Sequence, residues 1–117
     1  MTQAPARTGP LALIICTDGF AELRELRGHD PFDQAREIIG GHVTAMLGAD
    51  WSAYLNEDGH LMALPRTLFA DAMARALGFH FRHGDYLVGD VVFLGPACKG
   101  DVPDRVLHMA RVAGLPV

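Results

Sequence analysis

The sequence has few of the residues on which most catalytic sites depend. It contains two cysteines and one serine among 117 residues. Ser52 lacks Gly-x-Ser-x-Gly surroundings, and Cys16 and Cys98 lack a Cys-x-x-Cys spacing, so the pattern indicates neither a serine hydrolase nor a dithiol motif. We expect both cysteines to be buried free thiols and not a disulfide.

An excess of charge and long apolar runs are also missing. The net charge is −4 and the ten basic residues are scattered, which predicts no direct binding to nucleic acid. The apolar run Leu11–Cys16 is too short to cross a bilayer, and no signal-peptide pattern precedes it. The sequence therefore predicts a cytoplasmic protein that does not enter a membrane.

What is present fits one globular domain. Half of the residues are hydrophobic and 21% are charged, and the length suits a single core. Residues 1–10 combine small, polar and proline residues without periodicity, so we expect a flexible lead-in there. The domain itself is predicted to span residues 11–117.

Apolar periodicity and turn residues predict the element order β-β-α-β-β-β-α-β-α. Hairpins need antiparallel pairing, and regular βα alternation is absent, so the predicted class is α+β with a mostly antiparallel sheet and about three helices. The predicted strands are Leu11–Thr17, a second ending at Leu26, Val43–Leu47, Trp51–Leu55, His60–Leu64 and a central Tyr86–Leu94. The predicted helices begin at Pro31 with Asp30 as the cap, after Thr67, and at Asp101.

The same patterns predict which side chains are buried. In the third strand, Val43, Ala45 and Leu47 alternate with His42, Thr44 and Met46. The alternation places His42, and His60 on its own predicted strand, opposite the apolar residues, so we expect both histidines to face solvent. Two helices carry an apolar stripe at three- and four-residue spacing. The predicted stripes are Leu68, Phe69, Ala72, Met73, Ala76 and Leu77 on one helix and Val102, Val106, Met109 and Ala113 on the other.

Several residues are predicted to have structural roles. The double glycine Gly40-Gly41 is expected to end the first helix, because glycine accepts the left-handed conformation. Gly59 is expected to complete a turn with positive φ, and Gly89 to mark a bulge or a close backbone approach. Thr67, two residues after Pro65, is the expected helix cap.

The chain resembles the domain of unknown function 3846 family. The resemblance rests on Gly40-Gly41, Asn56-Glu57-Asp58-Gly59, Leu64-Pro65 and the strand that Asp85 begins, in that order over residues 20–96. It implies an accessory protein of bacteriophages, plasmids and their bacterial hosts, without an established reaction. The family usually has Asn at the position of Thr67 and often Glu at the position of Thr44, so this chain lacks one carboxylate of the family pattern.

The polar cluster Asn56-Glu57-Asp58-Gly59 allows two interpretations. It is either a hairpin tip, in which Asn56 bonds its own backbone two residues on, or a site where Asn56 and Glu57 present an amide and a carboxylate to a ligand. His42, His83 and Asp85 are the further candidates for ligand or partner binding. Zinc needs three or four converging ligands, which these spacings do not predict, so no metal and no cofactor are expected.

These observations lead to three functional hypotheses. The first is a non-enzymatic binding module, an accessory protein of phage or mobile-element type that captures a small polar, nucleotide-like ligand or a host protein. The second is a small hydrolase or transferase for a nucleotide-like substrate that uses Glu57, Asp85 and a histidine. The third is a structural or oligomerisation protein, and a homodimer is left open.

Overall fold

The apolar run at the start of the domain forms the first hairpin. In the computed structural model, which describes residues 9–27 and 30–117, strand β1 (Leu11–Ile15) pairs antiparallel with β2 (Ala21–Glu25). The turn between them uses Gly19 at a φ of 88°, a conformation that glycine adopts without strain. The predicted first hairpin is therefore confirmed. The predicted lead-in lies mostly outside the described residues.

Five strands form one antiparallel sheet in the order β2-β1-β5-β4-β3. The central strand is β5 (Val91–Leu94), which is buried along its whole length, as its apolar sequence predicts. The second hairpin, β3 (Val43–Leu47) and β4 (Ser52–Asn56), forms one side of the sheet and leaves β3 at the edge.

Three α-helices cover the two faces of this sheet. Helix α1 (Pro31–Ile39) packs on one face through Ala35 and Ile39. Helices α2 (Leu68–Ala76) and α3 (Asp104–Val112) pack on the other face around Phe93. The result is a single α+β domain, as predicted. None of these nine-residue helices has the length or the apolar character that crossing a bilayer requires, within the described residues.

The first helix begins and ends as its sequence predicts. The carboxylate of Asp30 accepts a hydrogen bond from the backbone N–H of Phe32, and Pro31 occupies the first helical position. Gly40 ends the helix with a φ of 78°, and its N–H donates to the carbonyl of Arg36.

The predicted strand His60–Leu64 is wrong. Residues 57–63 form consecutive turns, in which the N–H of Met62 donates to Asp58 O and the N–H of Leu64 donates to Gly59 O. The local bonds replace strand pairing because the carbonyl of the Asn56 side chain accepts from the N–H of Asp58 and starts the turn. The polar cluster is therefore the start of a turn segment and not a hairpin tip.

Two of the predicted buried faces are also wrong. In β3, Met46 is buried whereas Leu47 is 62% exposed, because the α2 and α3 side holds the larger core and β3 lies at the sheet edge. In the region of α2, Met73 and Leu77 are buried as predicted, but Leu68 and Phe69 are exposed. The other buried residues of the helix are Ala70, Asp71 and Ala74. The helix is rotated from its predicted orientation because Asp71 points into the protein.

The last two elements begin later than predicted. The central strand starts at Val91, because Gly89 turns the chain with a φ of 75° and interrupts the longer predicted strand. Helix α3 starts at Asp104 and not at Asp101, whose carboxylate instead accepts a hydrogen bond from the N–H of Leu11. Val102 and Val106 are buried as predicted, but Ala113 is exposed.

We expect Val106→Ala to lower the free energy of unfolding by about 2–3 kcal/mol, because it removes two fully buried methyl groups and leaves a cavity. The matched control is Val112→Ala on the same helix, where the side chain is 70% exposed and the change should stay within about 0.5 kcal/mol. Urea denaturation of the three proteins measures both effects. Equal losses would show that α3 does not pack against the sheet as described.

Candidate ligand-binding site

An open pocket of about 360 Å³ lies beside the β3–β4 hairpin. It is on the face of the sheet that α2 and α3 cover, since its floor belongs to the same apolar cluster as those helices. The rim is polar and includes Glu57, His60 and Asp85. The floor is formed by Met46, Leu55, Phe79, Phe81 and Leu87.

Glu57 and Asn56 line this pocket in different ways. The amide of Asn56 is buried, at 4% exposure, and its oxygen accepts from Asp58 N at 2.8 Å. Glu57 lies just beyond the end of β4, where its N–H donates to His42 O, and its exposed side chain lines the same pocket. Asn56 shapes the wall, and Glu57 offers its carboxylate.

The carboxylate of Glu57 is available to a ligand. It is exposed, and it makes no hydrogen bond or ion pair within residues 9–27 and 30–117. An ionised carboxylate is an acceptor for up to four hydrogen bonds. Glu57 is thus the rim group whose hydrogen-bonding capacity the fold leaves unused.

The glycines beside this turn are required by space. A Cβ on Gly41 would lie 2.8 Å from Nδ2 of Asn56, and one on Gly59 would lie 2.6 Å from Cγ2 of Val88. Neither residue has a positive φ, so the predicted left-handed conformation is wrong for Gly41 and Gly59. Close approach of the backbone to neighbouring side chains is the reason instead.

His60 joins the rim to the loop across the pocket. Its Nε2 donates to the carbonyl of Tyr86 at 2.8 Å and lies 3.3 Å from Oδ1 of Asp85. Its ring also packs edge-on against the ring of Tyr86, with centroids 4.8 Å apart. His60 was not among the predicted site residues, because no spacing in the sequence relates position 60 to positions 85 and 86.

The other two predicted candidates lie apart from the pocket. Nδ1 of His42 contacts Oδ2 of Asp58 at 3.0 Å on the protein surface. His83 is exposed in a turn and does not line the pocket. Of the five predicted binding residues, the structure thus brings together Asn56, Glu57 and Asp85.

A buried carboxylate on α2 holds the far wall of the pocket. Asp71 is 3% exposed, and its Oδ2 accepts from the backbone N–H of Leu87 at 2.9 Å. Its Oδ1 accepts from Nε of Arg75 at 2.6 Å and from Nη2 of Arg66 at 3.5 Å. Asp71 therefore links α2 to the 85–89 segment.

The ionisation of Asp71 reflects two opposing influences. Burial is the largest and raises its pKa, but the hydrogen bonds from Arg75 and Leu87, with the charges of Arg75 and Arg66, bring the pKa below its ordinary value. Asp71 is therefore charged at neutral pH.

The two arginines that pair with Asp71 also support the pocket aromatics. The Arg75 guanidinium lies over the ring of Phe81 at 4.4 Å and donates to the carbonyl of Asp85 at 2.8 Å. The Arg66 guanidinium lies over the ring of Tyr86 at 4.8 Å. The residues that line the pocket include the carboxylates of Glu57 and Asp85 and no arginine or lysine, so these carboxylates dominate the charge that the rim presents to a ligand.

A short pair of extended segments completes the support. Arg66 and Val88 form an antiparallel bridge, flanked by bonds from Thr67 N to Leu87 O and from Gly89 N to Pro65 O. Thr67 precedes α2 as predicted, but its hydroxyl donates to the carbonyl of Gly89 and does not cap the helix. This pairing fixes the start of α2 against the loop that lines the pocket.

The hydroxyl of Ser52 forms hydrogen bonds within the fold, and the two cysteines are free thiols. The buried Ser52 hydroxyl donates to Gly95 O at 2.5 Å and accepts from Cys98 N at 2.9 Å. Both cysteines are free and half-buried, and burial followed by nearby carboxylates, chiefly Asp90, raises the pKa of Cys16. In the described part of the chain no three or more His, Cys, Asp or Glu side chains converge as metal ligands.

Comparison with known proteins gives no match to this chain among family models, curated proteins or solved structures. The resemblance to the domain of unknown function 3846 family therefore stays a prediction. The case for a function rests on the pocket and on the chemistry of the residues around it.

We expect Asp71→Asn to lower the free energy of unfolding near neutral pH by about 1.5–3 kcal/mol, the scale of a hydrogen bond to a charged group. The folded pKa is below the unfolded one, so this stabilisation is complete above the unfolded pKa and is lost as the pH falls through the folded value. The difference between parent and variant should thus shrink from about pH 4 downward. Urea denaturation at several pH values measures it.

Glu37→Gln is the matched control, because Glu37 is exposed on α1 and should change stability by no more than about 0.5 kcal/mol. A loss for Asp71→Asn no larger than that of the control, or one of constant size at all pH values, would contradict the anchoring role of the charge.

Proposed function

We propose that this protein is a non-enzymatic binding module whose pocket receives one guest group with an apolar body and a hydrogen-bond-donating or cationic end. The observation that carries the proposal is the combination of an aromatic and aliphatic floor with the unpaired carboxylate of Glu57 at the rim. Ligand pockets commonly have this composition, a mostly apolar lining with few polar groups that set orientation.

The charge of the rim narrows the class of ligand. A nucleotide-like molecule would enter with its base on the floor formed by Phe79 and Phe81, and its amino groups would donate to the carboxylates. Its phosphates would meet the carboxylates of Glu57 and Asp85, because the residues that line the pocket include no arginine or lysine. The proposal therefore favours nucleosides, bases and amines over phosphorylated forms.

The setting of the protein is a further part of the proposal. The role of an accessory protein of a phage or mobile element, acting in the cytoplasm on a small ligand or a host protein, rests on the resemblance described above. Thr44, where the family often has Glu, lines the pocket. Loss of that carboxylate leaves a less acidic pocket than the family pattern implies, which suits a guest with a single positive or donor group.

A hydrolase or transferase is the second candidate, because His60 lies 3.3 Å from Asp85 at the rim and Glu57 shares the pocket. A carboxylate that orients a histidine is a recurrent part of general-base sites. The proposal ranks it second because His60 donates through Nε2 to the Tyr86 carbonyl, a contact that explains its position structurally. A structural protein is the third candidate, and its natural interface is the exposed edge of the sheet.

We expect Glu57→Gln to weaken ligand binding without lowering the stability of the fold. The change should leave stability within about 0.5 kcal/mol, whereas loss of a charge-assisted bond should weaken ligand binding by about 1.5–3 kcal/mol. A thermal-shift panel of nucleosides, nucleotides and amines such as agmatine provides the probes. A ligand at 100 times its Kd should add about 2.7 kcal/mol of stability.

Asn56→Ala is the contrasting variant. It removes the acceptor for Asp58 N, so it should lower stability by about 1–3 kcal/mol even without a ligand. A stabilising ligand that Glu57→Gln does not weaken would place binding elsewhere. Turnover of a nucleotide or nucleoside in the panel that Glu57→Gln or His60→Gln abolishes would establish the enzyme instead.

A further inference from the structure

Strand β3 leaves a row of backbone groups without a strand partner. Glu57 N donates to His42 O at one end of the hairpin, and Gly48 N donates to Trp51 O at the other. In an antiparallel ladder, hydrogen-bonded and non-hydrogen-bonded residue pairs alternate, so these two bonds show which residues of β3 bond to β4. Even-numbered residues of β3 therefore bond to β4, and the N–H and C=O groups of Val43, Ala45 and Leu47 point away from it. The sheet, as far as the structure describes it, has no strand on that side.

The two edges of the sheet differ in how they are protected. The β2 edge has the sequence AELRE, with three charged residues, and the N–H of Leu26, just beyond it, donates to Pro10 O. The β3 edge has the sequence VTAML, with no charge and no proline. Sheet edges that do not pair with another chain usually carry such residues, so an uncharged exposed edge indicates a pairing surface.

The pocket is continuous with this edge. Its walls include Thr44, Ala45, Met46 and Leu47 of β3. A strand added beside β3 would direct alternate side chains to the face of Thr44 and Met46, which is the pocket face. One of those side chains would extend over the apolar floor toward Glu57 and Asp85.

The chemistry of the pocket selects a basic side chain. Arginine and lysine have an aliphatic stem that suits the floor of Phe79, Phe81 and Leu87 and a cationic head that suits the carboxylates at the rim. Glu57 is exposed and unpaired, so it can take the head in a charge-assisted bond.

We propose that the guest of the pocket is an arginine or lysine side chain on an extended segment of a partner protein, which adds to the sheet as a sixth strand beside β3. This inference rests on the proposed binding function and specifies its occupant. Backbone bonds to Val43, Ala45 and Leu47 supply pairing, and the basic side chain supplies selectivity.

A second copy of this chain fits the same surface less well. Pairing of β3 with its own copy would present a strand without a basic residue, since VTAML contains none. The carboxylates of Glu57 and Asp85 would then have no cation from the added strand. Charge complementarity therefore favours a foreign segment.

The test is selection of a random nonapeptide library on the immobilised full-length protein, followed by fluorescence anisotropy with the selected peptides. We expect enrichment of arginine or lysine within runs of β-branched residues, and a loss of affinity of about tenfold or more with Glu57→Gln. Ala45→Pro removes an outward N–H and should abolish binding while the fold is kept, since proline is tolerated at such edge positions. Glu37→Gln, on α1 and outside both the pocket and the edge strand, should bind as the parent does.

N-methylation of the selected peptides at alternate residues gives a second measurement that needs no change in the protein. Methylation of the amides that face β3 should abolish binding, and methylation of the others should have little effect. Melting temperatures of all variants confirm that they fold.

The outcomes separate this inference from the proposed function. Peptides that depend on Glu57 but tolerate Ala45→Pro and N-methylation would overturn strand addition and leave the binding pocket intact. Selection of no peptide, or of peptides without basic residues, would also overturn the inference, as would a dimer of the parent that Ala45→Pro dissociates. The proposed function itself fails when neither peptides nor small molecules bind in a manner that depends on Glu57.

Discussion

The charged hydrogen bonds of Asp71 are the interaction on which the candidate site depends. The Asp71 carboxylate is 3% exposed, and burying a charged group is unfavourable unless its oxygens accept hydrogen bonds. Here the N–H of Leu87 and the guanidinium of Arg75 donate those bonds. These two bonds join a helix to a loop that has no strand or helix of its own between residues 77 and 90. This side chain of α2, together with the Arg66–Val88 bridge and the backbone bonds beside it, therefore holds the loop in position.

Two features of the pocket follow from that interaction. The guanidinium groups that neutralise Asp71 lie over Phe81 and Tyr86, so the same charges that stabilise the buried carboxylate also position two aromatic rings of the lining. The rim is acidic because the pocket lining includes the carboxylates of Glu57 and Asp85 and no arginine or lysine. The chemistry of the proposed ligand therefore follows from the aromatic rings that α2 positions and from the carboxylates of the rim.

Local signals in the sequence predicted most of the fold. The cap at Asp30, the turn at Gly19 and the apolar β5 act within a few residues, so the first hairpin, α1 and the central strand were predictable. Residues 60–64 were predicted to form a strand from their sequence pattern, but residues 60–63 continue the turn that the bond from Asp58 N to the Asn56 side chain begins. The buried face of α2 was misjudged because a buried aspartate is recognised only when its distant partner, the N–H of Leu87, is known.

The candidate site was predictable only in part, because several of its contacts join residues that are far apart in the sequence. Polar groups near predicted turns were the candidates from the sequence, and three of them line one pocket: Asn56, Glu57 and Asp85. His60 contacts Tyr86, 26 positions later in the chain, and Phe79 and Phe81 join the floor through tertiary packing. Contacts over such separations have no signature in a single sequence, whereas the exposed edge of β3 becomes evident once the strand order is known.

Amide hydrogen exchange at Leu87 tests the central claim most directly. The account predicts that this amide is strongly protected in the parent protein, and that Asp71→Asn increases its exchange rate far more than that of the core amide of Phe93. Arg75→Leu should have the same selective effect, because it removes the cation that keeps Asp71 charged and in place. Rapid exchange of Leu87 in the parent, or equal acceleration at Leu87 and Phe93 in both variants, would contradict the claim that Asp71 holds the wall of the pocket.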